Sequence, residues 1–409
     1  MSFEENLKKY AKLLIRKGAN VQEGEEVNLS IAVEHCEFAH LLVEECYAAG
    51  ASRVVTNYYD DYSAHAFLEF GSADEHAKPG PTLAATDEWI GEKRPCRISI
   101  TGGDPNAFAD IDPSVFAVTS KAASPLVANA RELTSTNKLS WLVASAADAG
   151  WAKAVFPDLT SEEGVAALWD LIFKITRVDL PDPIAAWDEH IATLKRRREY
   201  MNEQQFDRVH YWNEEGSDFV IGLPKNQSWA SPGSITPGGR INLHNIPSEE
   251  IFCAPDRTRM DGVVVSTKPL VENGTVIENL RFTFADGVVT DVTADTGVEI
   301  VRELIATDEG SAHLGEFALV PHSTPISQSG VLFYMTLFDE NASNHLALGS
   351  AYAHNVVGGT EMTPDERLAV GINTSAIHVD FMVGSATTNI DGIAADGSVT
   401  PLFRNGEWV

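Results

Sequence analysis

The stretch from Glu26 to Tyr59 is the part of this sequence that most narrows its fold. E-V-N-L-S-I-A-V (26–33) has strand chemistry, and E-F-A-H-L-L-V-E-E-C-Y-A-A-G (37–50) repeats its apolar residues at helical spacing and ends in Gly50. S-R-V-V-T-N-Y-Y (52–59) then returns to strand chemistry. A helix between two successive strands runs back over a sheet, so the strands it joins lie parallel.

The flanking sequence extends this pattern. Ser2 and Glu5 form a capping box ahead of the apolar stripe Leu7, Tyr10, Leu13, Leu14, which predicts a first helix ending near Gly18. Further strands are expected at 96–101 (C-R-I-S-I-T) and 139–145 (L-S-W-L-V-A-S), separated by segments of helical character such as 114–135. Thr160 and Glu163 make a second capping box, opening a helix through Trp169 and Phe173, and Asp182-Pro183 reads as an N-cap followed by proline at the first helical position. Residues 1–204 therefore read as an N-terminal open α/β domain with a largely parallel sheet.

Past the basic stretch K-R-R-R-E-Y (195–200) the texture changes to short strands and turns. Asn273-Gly274 and Asp286-Gly287, flanked by β-branched or aromatic residues, are hairpin signals. Thr363 to Glu366 is a capping box with Pro364 at the first helical position, so a short helix is expected before the last strand. Residues 205–409 read as a mixed, β-rich C-terminal domain.

Thirty basic against fifty-nine acidic residues give a net charge of −29. Such a surface repels nucleic-acid phosphates and anionic membranes, and neither is expected as a partner. It attracts cations, including metal ions and the ammonium end of a peptide, and it equally suits a cytoplasm rich in salt. The opening M-S-F-E-E-N-L-K-K-Y lacks the apolar core of a secretory signal, and no run approaches ~18 apolar residues, so a cytoplasmic location is expected. Cys36, Cys46, Cys96 and Cys253 form no C-x-x-C pair and read as free, mostly buried thiols.

Four stretches of the C-terminal third set histidines and carboxylates among apolar or small residues: S-E-E-I (248–251), H-L-G-E-F-A-L (313–319), D-E-N-A-S-N-H (339–345) and A-I-H-V-D-F-M (376–382). Buried carboxylates are costly without a counter-charge, so several of them beside histidines suggest two divalent metals and, with them, a hydrolase. Strand alternation puts His378 and Asp380 side by side on one face, and places Glu316 among Leu314, Ala318 and Val320. The third stretch supplies Glu340, His345 and Tyr352. Were residues 342–352 helical, His345 and Tyr352 would stand two turns apart, about 10.5 Å, too far to grip one ion side by side. Tyr352 then reads as reaching over the substrate or as a core aromatic. In an extended segment one of Glu249 and Glu250 points inward while the other faces solvent; alternatively Ser248 caps a helix whose first turn holds both. The remaining histidines at 35, 40, 65, 76, 190, 210 and 244 read as structural or exposed. No H-E-x-x-H, G-x-S-x-G, P-loop or G-x-G-x-x-G motif is present.

Taken in order, P-S-E-E-I-F-x-A-P (247–255), H-L-G-E-F-A-L-V (313–320), L-F-D-E-N-A-S-N-H-L-A-L-G (337–349), A-Y (351–352) and H-V-D-F-M-V-G (378–384) resemble the thermophilic aminopeptidase family that includes aminopeptidases T and S. The passage from Trp229 to Pro237 and the opening helix with G-E-E-V-N-L are similar too. The resemblance implies a catalytic C-terminal domain, usually in a homodimer, that removes N-terminal amino acids from peptides with a free N-terminus. It implies two divalent ions (Zn, Co, Mn or Mg) held by Glu250, Glu316, Glu340, His345, His378 and Asp380, with a bridging water or hydroxide and with Tyr352 near the reacting carbonyl. It chooses Glu250 over Glu249. Four carboxylates carry −4 and two ions +4, so with one hydroxide the site is nearly neutral and can be buried. Glu316, flanked by the other ligands, is the expected bridge. Two other readings use similar residues: a dinuclear amidase or phosphoesterase, for which Arg257 and Arg259 are the only basic residues near the first motif, and a non-catalytic metal-binding protein.

Overall fold

The structure is a computed structural model that describes residues 2–235, 239–272 and 275–409. The chain divides into two compact units, residues 1–188 with 233–247, and residues 189–232 with 248–409.

In the first unit the Ser2 capping box is formed and opens α1 (Phe3–Leu13), which continues as one wide turn to Gly18. Strands β1 (Glu26–Ala32), β2 (Arg53–Tyr59), β3 (Cys96–Thr101) and β4 (Trp141–Ser145) form one parallel sheet in the order β2-β1-β3-β4. The helix α2 (Cys36–Ala48) is the crossover between the first two strands. On β1 the buried side chains are Val27, Leu29 and Ile31, the alternation expected of a strand packed on one face more tightly than on the other. Tyr10 stacks on Phe38 with ring centroids 5.6 Å apart, and Trp169 meets both edge-on, tying α1 and α2 to a third helix, Ser161–Ile175. The helical stretch expected at 114–135 is three successive pieces rather than one helix. Residues 233–247 extend the same unit: the Val143 amide donates to His244 O at 2.7 Å, and the His244 ring stacks on Trp141 at 4.2 Å. Nothing in the texture of the chain beyond 205 announces this return.

The second unit is β-rich. Strands β5 (Arg208–Trp212), β6 (Asp218–Gly222), β8 (Met260–Val265), β9 (Arg281–Ala285), β10 (Val288–Thr293), β14 (Asn389–Ile393), β15 (Val399–Arg404) and β16 (Glu407–Trp408) form an eight-stranded antiparallel sheet in the order β10-β9-β8-β6-β5-β14-β15-β16. Asp286-Gly287 turns the β9–β10 hairpin, as its chemistry predicts; Asn273-Gly274 and Pro237 lie outside the described residues. A second sheet holds β7 (Ile251–Cys253), β11 (Leu314–Leu319), β12 (His345–Gly349) and β13 (His378–Met382), antiparallel in the order β13-β12-β11-β7. One core spans both sheets, with Phe219, Phe282, Phe317 and Phe381 fully or almost fully buried. Each such aromatic contributes roughly 1.5–3 kcal/mol of burial. The short helix Pro364–Ala369 opens on the Thr363 capping box. No helix among the described residues is long and apolar enough to cross a membrane.

Asp308 fixes the approach to β13. Its Oδ1 accepts from the Ser311 amide and from the Ser311 and Ser375 hydroxyls at 2.9 Å, while Oδ2 accepts from the Ala376 amide at 2.7 Å. Burial opposes its ionisation, but these donors outweigh it and hold the carboxyl below its ordinary range. A depressed carboxylate pKa gives stability that is present above the unfolded pKa and lost as pH falls through the folded one. Asp308→Ala is therefore expected to cost about 1–2 kcal/mol in urea unfolding at pH 7, and the difference from wild type should shrink near pH 3.

Candidate metal centre

The four-stranded sheet places the site by register. Glu316 on β11 pairs with Ala347 on β12, which pairs in turn with Asp380 on β13. Directly paired residues point to one face, so the two carboxylates flank a single methyl group. In the neighbouring row Ala318, His345 and Met382 are paired, and Gly349 faces His378. Residues two apart share a face, so Glu316, His345, His378 and Asp380 rise together with only Ala, Gly and Met between them. Gly349 has φ +99°, and a Cβ there would meet Ile377 O at 2.2 Å, so this close approach of β12 to the chain entering β13 admits only glycine.

Two further carboxylates come from outside these strands, Glu250 just before β7 and Glu340 from the single 3₁₀ turn Glu340–Ala342. His345 Nε2 lies 3.1 Å from Glu250 Oε2 and 3.6 Å from Glu316 Oε1. His378 Nε2 lies 3.9 Å from Glu316 Oε2 and 3.5 Å from Asp380 Oδ2. Glu250, Glu316 and His345 thus each offer one ligand atom within 4.8 Å of the others. Backbone carbonyls set both rings. Nδ1 of His345 lies 2.9 Å from Glu340 O and 3.1 Å from Ser343 O, and Nδ1 of His378 lies 2.7 Å from Ser350 O. With Nδ1 donating to a carbonyl, Nε2 turns towards the carboxylates, the arrangement by which metal-binding histidines are oriented.

Electrostatics show what this crowding costs. Glu250, Glu316 and Glu340 are all buried, and His345 is 1% exposed. Burial, with the charges of Glu250 and Asp380, lifts Glu316 to about 6 against the opposing pull of His345. Burial and then Asp380 carry Glu340 well above the carboxylate range. For the histidines burial acts downwards, yet Glu250 and Glu316 hold His345 well above its ordinary value, and Asp380 and Glu316 push His378 up to about 10. Burial would raise Asp380, but His378 beside it outweighs that and holds it low. The two imidazoliums are counter-charges to these carboxylates. They do not suffice: Asp380 Oδ1 is buried without a hydrogen-bond partner, and Glu250 Oε2 faces His345 without hydrogen-bonding geometry. Unpaired buried oxygens on carboxylates, together with an all nitrogen-and-oxygen donor set, fit divalent cations.

All seven side chains singled out from the sequence meet here. Tyr352 begins the turn Ala353–Asn355, its ring 5.8 Å from His378 and 5.8 Å from Phe252. Burial and the charges of Glu316, Asp380, Glu340 and Glu250 all raise its phenol, so it stays protonated. Two expectations need correcting. Residues 342–352 are not helical, because the apolar-small run 345–349 pairs on both edges as β12. Residues 248–250 are not a helix start either, and neither glutamate faces solvent: Glu249 is buried too, its Oε2 3.4 Å from His190 Nε2. Sequence reasoning missed Asn341, whose amide touches Glu340, and the Ser350 carbonyl that orients His378. Only position beside a candidate ligand could have pointed to Asn341. Arg257 and Arg259 are engaged elsewhere, with Glu309 at 3.4 Å and Asp207 at 2.9 Å.

The donor set could hold a metal ion, and comparison with known proteins gives the class. A family model described as thermophilic metalloprotease (M29) matches residues 3–408, and the chain belongs to that family. It is a peptide hydrolase of the metalloprotease kind. It is 47% identical over 409 residues to Aminopeptidase PepS of Streptococcus thermophilus, covering 100% of this chain and 99% of that one. It is 42% identical over 407 residues to Aminopeptidase AmpS of Bacillus subtilis, covering 100% and 99%. The solved structure of wild-type AmpT from Thermus thermophilus matches with a TM-score of 0.93 at 37% identity, covering 100% of both chains. A 2,5-dihydroxypyridine dioxygenase of Pseudomonas putida, at TM-score 0.54 and 12% identity over 99% of this chain and 96% of that one, shares the fold alone.

The raised Glu316 carboxyl means that its ionisation weighs against the metal-free fold above pH 6, and not below its ordinary value of 4.5. Glu316→Gln is expected to stabilise the metal-free protein at pH 8, with no gain near pH 4, while abolishing hydrolysis. Calorimetric melts at the two pH values check this; a destabilised variant at pH 8 would contradict it.

Proposed function

We propose that this protein is an aminopeptidase that removes amino acids one at a time from peptides with a free N-terminus. It uses two divalent ions, drawn from Zn, Co, Mn or Mg, held by Glu250, Glu316, Glu340, His345, His378 and Asp380. The observation that carries the reading is the register row Glu316–Ala347–Asp380, which with Glu250, Glu340 and two oriented histidines gathers four carboxylates that lack sufficient counter-charge. Four carboxylates against two divalent ions bring the ligand set to neutrality. Every one of these residues lies within 205–409, which we take as the catalytic domain.

The chemistry such ions supply when bound is acidity: water that ionises near neutral pH and a polarised carbonyl. The protein's own groups supply position. Glu316 reaches towards His345 with one oxygen and towards His378 with the other, and on that ground would be the ligand shared between the two ions. Tyr352, kept protonated, would donate a hydrogen bond from its hydroxyl to the oxygen on which negative charge develops. The free α-amine of the chain end would be held by one of these ions or by a carboxylate of the site. The engagement of Arg257 and Arg259 with Asp207 and Glu309 leaves a phosphoesterase without its usual phosphate anchors.

Chelation with EDTA should abolish release of the first residue from aminoacyl-nitroanilides and free peptides, and re-addition of one of the four metals should restore it. N-terminally acetylated peptides should be inert; equal cleavage of them would exclude an exopeptidase that acts on free amines. Tyr352→Phe should lower kcat by roughly 10²–10³ with KM little changed, and full turnover in this variant would remove the hydroxyl from the mechanism.

A further inference from the structure

The third sequence motif contains a buried amide that the proposed chemistry does not use. Asn341 is fully buried. Its Oδ1 accepts from the Glu249 amide at 2.7 Å, and its Nδ2 donates to Leu337 O at 2.9 Å and to Glu340 Oε1 at 3.2 Å. These partners leave no choice of orientation. The Glu249 N–H only donates and the Leu337 carbonyl only accepts, so the amide oxygen faces the first and the amide nitrogen the second, with Glu340 on the same side as Leu337.

We infer that Asn341 is a positioning residue that sets the spacing of two metal-binding carboxylates, Glu340 and Glu250, through its bonds to the Glu340 side chain and the Glu249 backbone. The inference rests on the two-metal reading above. The two segments it joins are 92 positions apart in sequence. The tripeptide 248–250 is held at two successive points just before Glu250: His190 Nε2 lies 2.8 Å from Ser248 O, and Asn341 takes the Glu249 amide. On the other segment, Glu340 stands among like charges, those of Asp380, Glu250 and Glu316, with His345 in opposition. A neutral donor on Oε1 fixes the carboxylate in this field without neutralising it, as an added lysine would. Aspartate at 341 keeps the volume and the acceptor for Glu249 but has no N–H for Glu340; serine and alanine are too short to span the two.

The test is a double-mutant cycle on the full-length protein: wild type, N341D, E340Q and N341D/E340Q. Each is stripped of metal, titrated calorimetrically with ZnCl2 and with MnCl2, melted in the metal-free state, and assayed on leucine nitroanilide. N341D is expected to weaken metal binding about 10–100-fold and to lower kcat with KM within about twofold; its metal-free melting temperature should fall, because a buried carboxylate replaces the amide beside Leu337 O and Glu340, and the melt establishes that the variant is folded. In the E340Q background the same change should have no further effect on metal affinity, because the group it acts through is gone. Wild-type affinity and kcat in N341D, or an equal loss in both backgrounds, would overturn the inference and leave the two-metal reading standing. Wild-type metal binding by E340Q, or none by the wild-type protein, would overturn the reading itself. If N341D does not fold, N341S takes its place; because serine also releases the Glu249 amide, a smaller loss of metal affinity in the E340Q background than in the wild-type one is then expected, and an equal loss overturns the inference.

Discussion

Four carboxylates drawn onto one small patch repel one another and cost several kcal/mol each to bury, and the second unit is arranged around that cost. The patch exists because β11, β12 and β13 pair in a register that places Glu316 and Asp380 on either side of Ala347. A larger residue at 347 would part them. Small residues recur through the face, with Ala318 opposite His345 and Gly349 opposite His378, so the floor of the site is low and the functional side chains stand above it. The opposite faces of the same strands bury Phe317, Leu346, Leu348 and Phe381, which anchors the geometry in the hydrophobic core.

The surrounding backbone then orients what the register has placed. Carbonyls of Glu340, Ser343 and Ser350 take the Nδ1 side of the two histidines, Asp308 pins the segment that leads into His378, and Asn341 links the Glu340 carboxylate to the Glu249 backbone amide. Such outer contacts decide whether ligands stand within a few tenths of an ångström of where an ion needs them. The raised values of Glu316 and of both histidines describe the same crowding of charge from the side of protonation.

Much of this was legible in the sequence, for physical reasons that differ from place to place. The parallel sheet followed from a strand-helix-strand spacing, and the capping boxes at Ser2, Thr160 and Thr363 are local signals that form as written. His378 and Asp380 could be assigned to a face because strand alternation is fixed by the backbone, whereas the expectation that Leu314 shares a face with Glu316 fails, because a bulge between them turns Leu314 into the core beside Leu348. The resemblance to aminopeptidases T and S selected Glu250 over Glu249. What failed depended on tertiary pairing. Residues 345–349 are short and apolar enough to suit either a helix or a strand, and only their two strand neighbours decide between them. Burial of both Glu249 and Glu250 required His190 and Asn341, which come from distant parts of the chain. The return of residues 233–247 to the first unit had no compositional signal.

The central claim is that six side chains enclose two ions, and anomalous scattering from crystals of the enzyme loaded with Zn or Mn tests it most directly. Two peaks are expected, both enclosed by Glu250, Glu316, Glu340, His345, His378 and Asp380, with Glu316 touching each. A single peak at full loading, or peaks elsewhere in the molecule, would contradict it.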